Sequence, residues 1–201
     1  TDMRGSATAP WLGMPIANVS QLDRALVIGS FLRKEQPLIA ARLRTASKRG
    51  LQVSRIDAGG DDWLMPSLGI PAAPSRWTAV LTEVASAIAK AKSSQLPSGI
   101  QGGSVSNEAQ AIADNLLSGS NKAVLLGSAA IAHPSASNLH VLAQFIAEQT
   151  GATFGFLPVG GNAVAAPLLE AVQQKPNAGI DSVLDGSARA FLLLNLEPLS
   201  D

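Results

Sequence analysis

The sequence predicts an α/β fold, a Rossmann-like doubly wound parallel sheet built from two tandem strand–helix–strand units. Short unbroken apolar runs alternate with amphipathic stretches of helical period, which is typical of parallel strands buried on both faces. AVLLGS at 123–128 also repeats ALVIGS at 25–30. Each copy is followed by a proline, an amphipathic stretch, a glycine and another apolar run. The repeat leaves the strand order open, and it leaves open whether the units share one sheet or form two lobes.

The first unit begins with the apolar run 25–28, which ends at the Gly29-Ser30 turn. Pro37 fits the first turn of the following helix, because the N–H that proline lacks has no partner there. Gly50 suits the left-handed residue that ends this helix, and residues 51–56 form the second strand. A strand, a helix and a second strand in succession favour a right-handed parallel crossover.

Residues 58–76 are rich in glycine and proline and predict a long loop. Within it, Asp61 and Asp62 are expected to be solvated turn residues rather than metal ligands, because no further carboxylate or histidine lies close in sequence. Ser75 is placed to cap the next helix.

Three segments divide the chain: residues 1–92 hold the first unit with its lead-in and long loop, 93–106 form a linker, and 107–201 hold the second unit. Asn107, with Gln110 three residues later, resembles a capping box that opens this second unit. Further along, we expect a helix at 138–150, a strand at 152–157, a helix from 162 to about 174, a helical turn at 180–184 and a buried strand at 190–196.

Composition excludes several functions. No apolar run approaches the ~20 residues of a membrane helix, so we expect a soluble chain without membrane insertion. The chain has no cysteine, which excludes disulfides and cysteine-held clusters in it. Fifteen basic residues balance fifteen acidic ones, and nucleic acid is therefore an unfavourable partner. Charged residues make up 15%, against ~25% in ordinary domains, which fits an alanine-rich domain or a surface covered by other protein.

Three glycine turns are the candidate binding positions. The Gly29-Ser30 and Gly127-Ser128 turns end predicted strands, at the edge where open parallel sheets bind ligands. Neither has a dinucleotide or P-loop motif, and the helix is not expected to begin directly after the glycine, so a plain strand exit is favoured over a cofactor site. The Gly160-Gly161-Asn162 turn could offer N–H groups to an anion; a tight turn that needs positive φ is favoured.

The remaining residues give no catalytic or metal site. His133 and His140 have no cysteine or acidic pair nearby, which argues against a metal centre. The chain has no GxSxG nucleophile motif. Six basic residues are clustered in one part of the sequence: Arg33, Lys34, Arg42, Arg44, Lys48 and Arg49. Because they spread around a helix, a solvated or subunit-facing surface is favoured over a phosphate site. We assign no catalytic, cofactor-binding or metal-binding residue.

Four stretches together carry a family resemblance: WLGMPIA, ALVIGSFLRKEQPLIAARLR, VLLGSAAIAHP and LPVGGNAVAA. They resemble the molybdopterin-oxidoreductase-like C-terminal region of the large iron–sulfur subunit of bacterial NADH:quinone oxidoreductase, respiratory complex I. The resemblance covers nearly the whole chain. Gln36 departs from the pattern, which usually has histidine before the proline. Thr1 and Asp201 look like cut points within a longer subunit.

The resemblance implies a scaffold domain of the peripheral arm that supports electron transfer from NADH to quinone without a redox centre of its own. The fragment alone is expected to be non-catalytic. Its partners would be other complex I subunits, at the cytoplasmic face of the inner membrane. The family's iron–sulfur clusters lie in the N-terminal part of the subunit, and the pterin cofactor of related molybdenum enzymes is regarded as lost. Two alternatives remain: a nucleotide- or molybdopterin-binding domain of a redox enzyme, and a free-standing small-molecule-binding module.

Overall fold

The computed structural model describes residues 9–160 and 162–169. In this part of the chain, five parallel strands form one sheet in the order β3-β2-β1-β4-β5. The strands are β1 (Arg24–Ile28), β2 (Gln52–Asp57), β3 (Ser67–Pro71), β4 (Lys122–Gly127) and β5 (Thr153–Leu157). The predicted α/β, Rossmann-like doubly wound fold is confirmed, and both units contribute to the same sheet.

Helices cover both faces of the sheet. They are α1 (Leu32–Glu35), α2 (Pro37–Ser47), α3 (Trp77–Lys92), α4 (Asn107–Ser118), α5 (Ser128–Ile131), α6 (Ala136–Thr150) and α7 (Ala165–Leu168), with 3-10 turns at Ile16–Gln21 and Pro74–Arg76. One apolar cluster joins α3, α4 and α6 to one face of the sheet. A second cluster joins α2 and the lead-in, residues 9–23 before β1, to the other face. No helix in the described residues is long and apolar enough to cross a membrane.

The sequence repeat is also a repeat in space. Strands β1 and β4 are neighbours, and their register pairs Ala25 with Ala123 and Ile28 with Leu126. Side chains alternate between the faces along each strand, so that Leu26 belongs to one apolar cluster and Val27 to the other. The two Gly-Ser turns are therefore brought together at the same edge of the sheet.

The predicted loop at 58–76 contains a strand that sequence reasoning missed. Strand β3 pairs in parallel with β2, from Val53 opposite Ser67 to Asp57 opposite Pro71. Its glycine and proline suggested a loop, but an edge strand tolerates both, because its outer N–H groups need no partner in the sheet. The loop prediction is wrong for these five residues.

Two predicted helix starts are also wrong. Ser75 lies inside the 3-10 turn that precedes α3, and the first residue of α3 has no side-chain cap. The N-cap of α4 is Ser106, whose Oγ accepts a hydrogen bond from the N–H of Ala109 at 3.3 Å, so Asn107 is already helical. Ser106 also donates to Glu83 Oε2 at 2.6 Å, which joins α4 to α3.

The other predicted boundaries agree more closely. Helix α6 ends at Gly151 in the left-handed conformation, as the glycine suggested, and Gly50 has φ +108° three residues after α2. The predicted linker at 93–106 packs three apolar side chains against the core: Leu96, Ile100 and Val105. The helix predicted from 162 to 174 is described only to 169, and the elements predicted at 180–184 and 190–196 lie outside the described residues.

A carboxylate joins the starts of β1 and β4. Asp23 Oδ2 accepts hydrogen bonds from the N–H groups of Ser120 at 2.9 Å and Asn121 at 3.1 Å. Burial alone raises the pKa of Asp23, but these two donors, with the charges of Arg24 and Lys122, outweigh it and hold the pKa below its usual value of 3.8.

We expect Asp23→Asn to lower the free energy of unfolding by about 1 kcal/mol at pH 7, because the N–H donors lose a charged acceptor. Since the pKa of Asp23 is lowered in the folded state, its stabilisation is fully present above 3.8 and is lost as pH falls through the folded pKa. Urea unfolding of both proteins between pH 7 and pH 3 measures this. A stability difference that stays constant with pH would contradict the assignment.

Candidate functional site

The candidate site is the point where the sheet reverses its strand order. Strands β2 and β3 lie on one side of β1, whereas β4 and β5 lie on the other. In open parallel sheets, ligands bind outside the carboxyl ends of the strands at such a switch point. The Gly29-Ser30 and Gly127-Ser128 turns both lie here, because they directly follow β1 and close β4.

The two turns are hydrogen-bonded to each other instead of facing an open pocket. The N–H groups of Ala129 and Ala130 reach the carbonyl oxygen of Gly29 at 3.1 and 3.4 Å. Helix α5 begins at Ser128, so the expectation that the helix does not begin directly after the glycine is wrong for Gly127. It is confirmed for Gly29, since α1 begins at Leu32. The first N–H groups of α5 would be the usual anion donors of such a fold. Here they are occupied by a carbonyl of the neighbouring turn.

Both glycines are required by this close approach. A Cβ on Gly127 would collide with the carbonyl oxygen of Gly29 and lie 2.7 Å from its carbonyl carbon. Gly29 has φ +60°, which favours glycine. A Cβ there would also lie 2.8 Å from Cβ of Ala130. The glycines thus bring two backbones together and do not make room for a phosphate.

The side chain of Trp77, in α3, fills the space beside the Gly29-Ser30 turn. Its side chain is 3% exposed, and its Nε1 donates to the carbonyl oxygen of Ala72 at 2.9 Å. Its Cζ3 would lie 2.8 Å from a Cβ on Gly29. The space left beside Gly29 is about 10 Å³, enough for about one water. Ligand pockets have volumes of roughly 300–1,000 Å³.

His133 supports this closed arrangement. Its Nδ1 accepts a hydrogen bond from the N–H of Ser135 at 3.0 Å, so in the neutral ring the proton is on Nε2. That Nε2 lies 3.1 Å from the carbonyl oxygen of Pro74, to which it donates. The ring also lies 6.0 Å from that of Trp77. His133 therefore links the segment after α5 to the turn before α3.

His140 lies elsewhere, in an aromatic cluster on α6 and β5. Its ring stacks on Phe154 at 5.2 Å and meets Phe156 edge-on at 5.3 Å. Burial lowers the pKa of His140, which favours the neutral ring. The structure thus does not bring the two histidines to one site. Among residues 9–160 and 162–169, no group of three or more potential ligand side chains could hold a metal ion.

A charged pair at the end of β2 was not identified from the sequence. Arg55 Nη1 donates to Asp57 Oδ2 at 2.9 Å, and the guanidinium lies 5.5 Å from the ring of Trp63. Asp57 Oδ1 accepts a hydrogen bond from the N–H of Gly59 at 2.8 Å. The i, i+2 spacing of Arg55 and Asp57 within one strand was the available signal, since it places both on one face. Both carboxylate oxygens of Asp57 are thus engaged within the protein.

The two loop aspartates differ in environment. Asp62 is exposed, and its Oδ1 accepts a hydrogen bond from the N–H of Leu64 at 2.9 Å, as expected of a solvated turn residue. The same expectation is wrong for Asp61, because its Oδ2 is buried and has no hydrogen-bond partner. Arg55 Nη1 also donates a hydrogen bond to the carbonyl oxygen of Asp61 at 3.3 Å, which holds Asp61 against β2.

The structure describes two residues of the third glycine turn, Gly160 and Asn162. Gly160 has φ +101° and open space where a Cβ would lie, in agreement with a tight turn. Gly161 lies outside the described residues. Asn162 is exposed, and the helix that follows, α7, is four residues long.

A shallow cleft of about 320 Å³ lies beside β5, against α6. The lead-in forms one wall, because the carbonyl oxygen of Trp11 accepts a hydrogen bond from the N–H of Phe156 at 2.8 Å. Gly155 permits this approach, since a Cβ there would collide with the backbone of Leu12. The lead-in thus covers the outer edge of β5.

Comparisons with known proteins give no family assignment. No family model matches the sequence, and no curated protein matches it. Among solved structures, the chain aligns with the formyltransferase/hydrolase complex FhcABCD from Methylorubrum extorquens in complex with methylofuran, at a TM-score of 0.47 and 13% identity. The alignment covers 79% of this chain and 42% of that chain, so the chain spans less than half the length of the matched structure.

Proposed function

We propose that this chain is a structural domain in the peripheral arm of a proton-pumping NADH:quinone oxidoreductase. In this role it packs against neighbouring subunits at the cytoplasmic face of the inner membrane and carries no redox centre itself. Iron–sulfur clusters of the same subunit lie outside this segment. The sequence resemblance motivates the assembly, and the closed switch point supports the scaffold role.

The closed switch point is the observation that carries the proposal. The usual ligand position of the fold is filled by the Gly29 carbonyl, the first turn of α5 and the ring of Trp77. A nucleotide or pterin placed there would have to displace packed backbone, since about 10 Å³ is free. This makes the nucleotide- or molybdopterin-binding alternative less favourable than a scaffold.

The proposal is tested by purifying the chain in two forms. An affinity tag on the chain, in the cells that produce it, is expected to recover an assembly that oxidises NADH with a quinone acceptor. Residues 1–201 expressed alone are expected to give neither NADH oxidation nor visible cluster absorbance. A tagged chain that recovers no such activity would contradict the assembly. Stoichiometric flavin or iron–sulfur cluster in the isolated fragment would contradict the scaffold role.

A further inference from the structure

An apolar groove runs between the 3-10 turn Ile16–Gln21 and α2. Its volume is about 350 Å³, and its lining comprises Ile16, Ser20, Leu38, Ala41, Arg42 and Thr45. Leu38 is 71% exposed and Ile16 is 44% exposed. Each leaves a large aliphatic side chain in water beside the other, so the groove offers apolar area that a partner could bury.

Positive charges border this groove without acidic counterparts. The groove-facing stripe of α2 has the i, i+3, i+4, i+7 spacing and comprises Leu38, Ala41, Arg42 and Thr45. Lys48 and Arg49 directly follow the last residue of the helix. Arg42 Nη1 lies 3.3 Å from Ser20 Oγ, and Arg49 Nη2 lies 3.3 Å from the Ser20 carbonyl oxygen, so both guanidinium groups reach the groove's edge. Neither α2 nor the 3-10 turn contains an acidic residue.

These cations have no ion-pair partner within the described part of the chain, where Arg33 and Arg55 form the ion pairs. The chain as a whole has zero net charge, so the excess is local to this surface. A partner that covers the groove must therefore supply negative charge as well as apolar area. Acidic charge at the rim would also orient the partner during association.

We propose that this groove docks an acidic amphipathic segment of a neighbouring polypeptide. A large apolar side chain of that segment packs on Leu38 and Ile16, and its carboxylates pair with Arg42 and Arg49, in the helix-in-groove mode of recognition. A polyanion alone would leave the apolar floor exposed, so a protein partner fits better than a phosphate backbone. The inference rests on the proposed function in that the neighbour is a subunit of that assembly.

The test places a photo-reactive benzoylphenylalanine at Leu38 of the full chain in the cells that produce it. After irradiation, mass spectrometry is expected to find a cross-link to a peptide of another polypeptide that carries Asp or Glu beside an apolar residue. Arg42→Glu combined with Arg49→Glu is expected to lower the cross-link yield roughly tenfold, because opposite charges become like charges. Arg44→Glu makes the same kind of charge change off the stripe and is expected to leave the yield unchanged.

Folding is checked separately, because Arg42 also binds Ser20 within the chain. Charge reversal of the acidic residues in the cross-linked partner peptide, from Glu or Asp to Arg, is expected to restore the yield with the doubly reversed chain, which a merely unfolded chain could not show. Cross-links to this same chain, to lipid or to nucleic acid, an equal loss in Arg44→Glu, or no protein product would overturn the docking site.

The two proposals fail in different ways. A cross-link to an acidic segment of a protein outside any NADH-oxidising assembly would retain the docking site and overturn the proposed function. An active NADH:quinone oxidoreductase recovered with the tagged chain, together with only intrachain cross-links at Leu38, would retain the function and overturn the docking site.

Discussion

Gly127→Ala is expected to lower the free energy of unfolding by about 3 kcal/mol or more, the upper range for overpacking a close-packed site. The added methyl group would collide with the carbonyl oxygen of Gly29 and lie 2.5 Å from Ser30 Cβ. Two of the three nearest atoms are backbone atoms of Gly29, in the turn that directly follows β1, so relief requires this turn to move away from the end of β4. The backbone of Gly127 is extended, with φ −79°, so the cost comes from collision and not from φ.

Urea unfolding of the two proteins measures this difference, with Gly103→Ala as the matched control. A Cβ on Gly103 meets no atom within 4 Å, so this variant is expected to stay within about 0.5 kcal/mol of the parent. Equal stability of the two alanine variants would contradict the close contact between the turns.

Leu116→Ala is expected to lower the free energy of unfolding by about 2–5 kcal/mol. Leu116 is fully buried in the apolar cluster beneath α3, α4 and α6, and truncation there removes packed apolar area and leaves a cavity. The neighbouring Leu117 is half-buried, so Leu117→Ala makes the same chemical change at lower expected cost, less than half as large.

Leu116 and Leu117 are adjacent in α4, and Leu116 is the more deeply buried of the two. Thermal or urea unfolding of the two variants compares them directly. An equal loss of stability would place Leu117 in the core and contradict the orientation of α4.

Local patterns were enough to predict the strands that repeat one another. Strands β1 and β4 each present an unbroken apolar run, and both faces of each are buried. The left-handed backbone of Gly50 was predicted in the same way. By contrast, β3 was missed because it is stabilised by pairing with β2, a contact that is not local in sequence. Its own glycine and proline are typical of a loop. The N-cap was misplaced by one residue because Ser106 and Asn107 are both good caps.

Local sequence could not predict whether the candidate site is open or filled. The Gly-Ser turns were correctly located as strand ends, but what fills the space beside them comes from a distant helix. Trp77 fits the apolar period of α3, and nothing local shows that its ring reaches Gly29. The Arg55–Asp57 pair likewise becomes visible only when the loop after β2 folds back over it.

Thermal unfolding with and without ligand tests the closed switch point most directly. The chain is mixed with mononucleotides, with dinucleotides and with pterin guanine dinucleotide, and the unfolding midpoint is followed as the ligand concentration rises. The account predicts an unchanged midpoint with each ligand. A saturable rise, corresponding to about 2.7 kcal/mol at one hundred times the dissociation constant, with the ligand mapped beside Gly29 or Gly127, would contradict it.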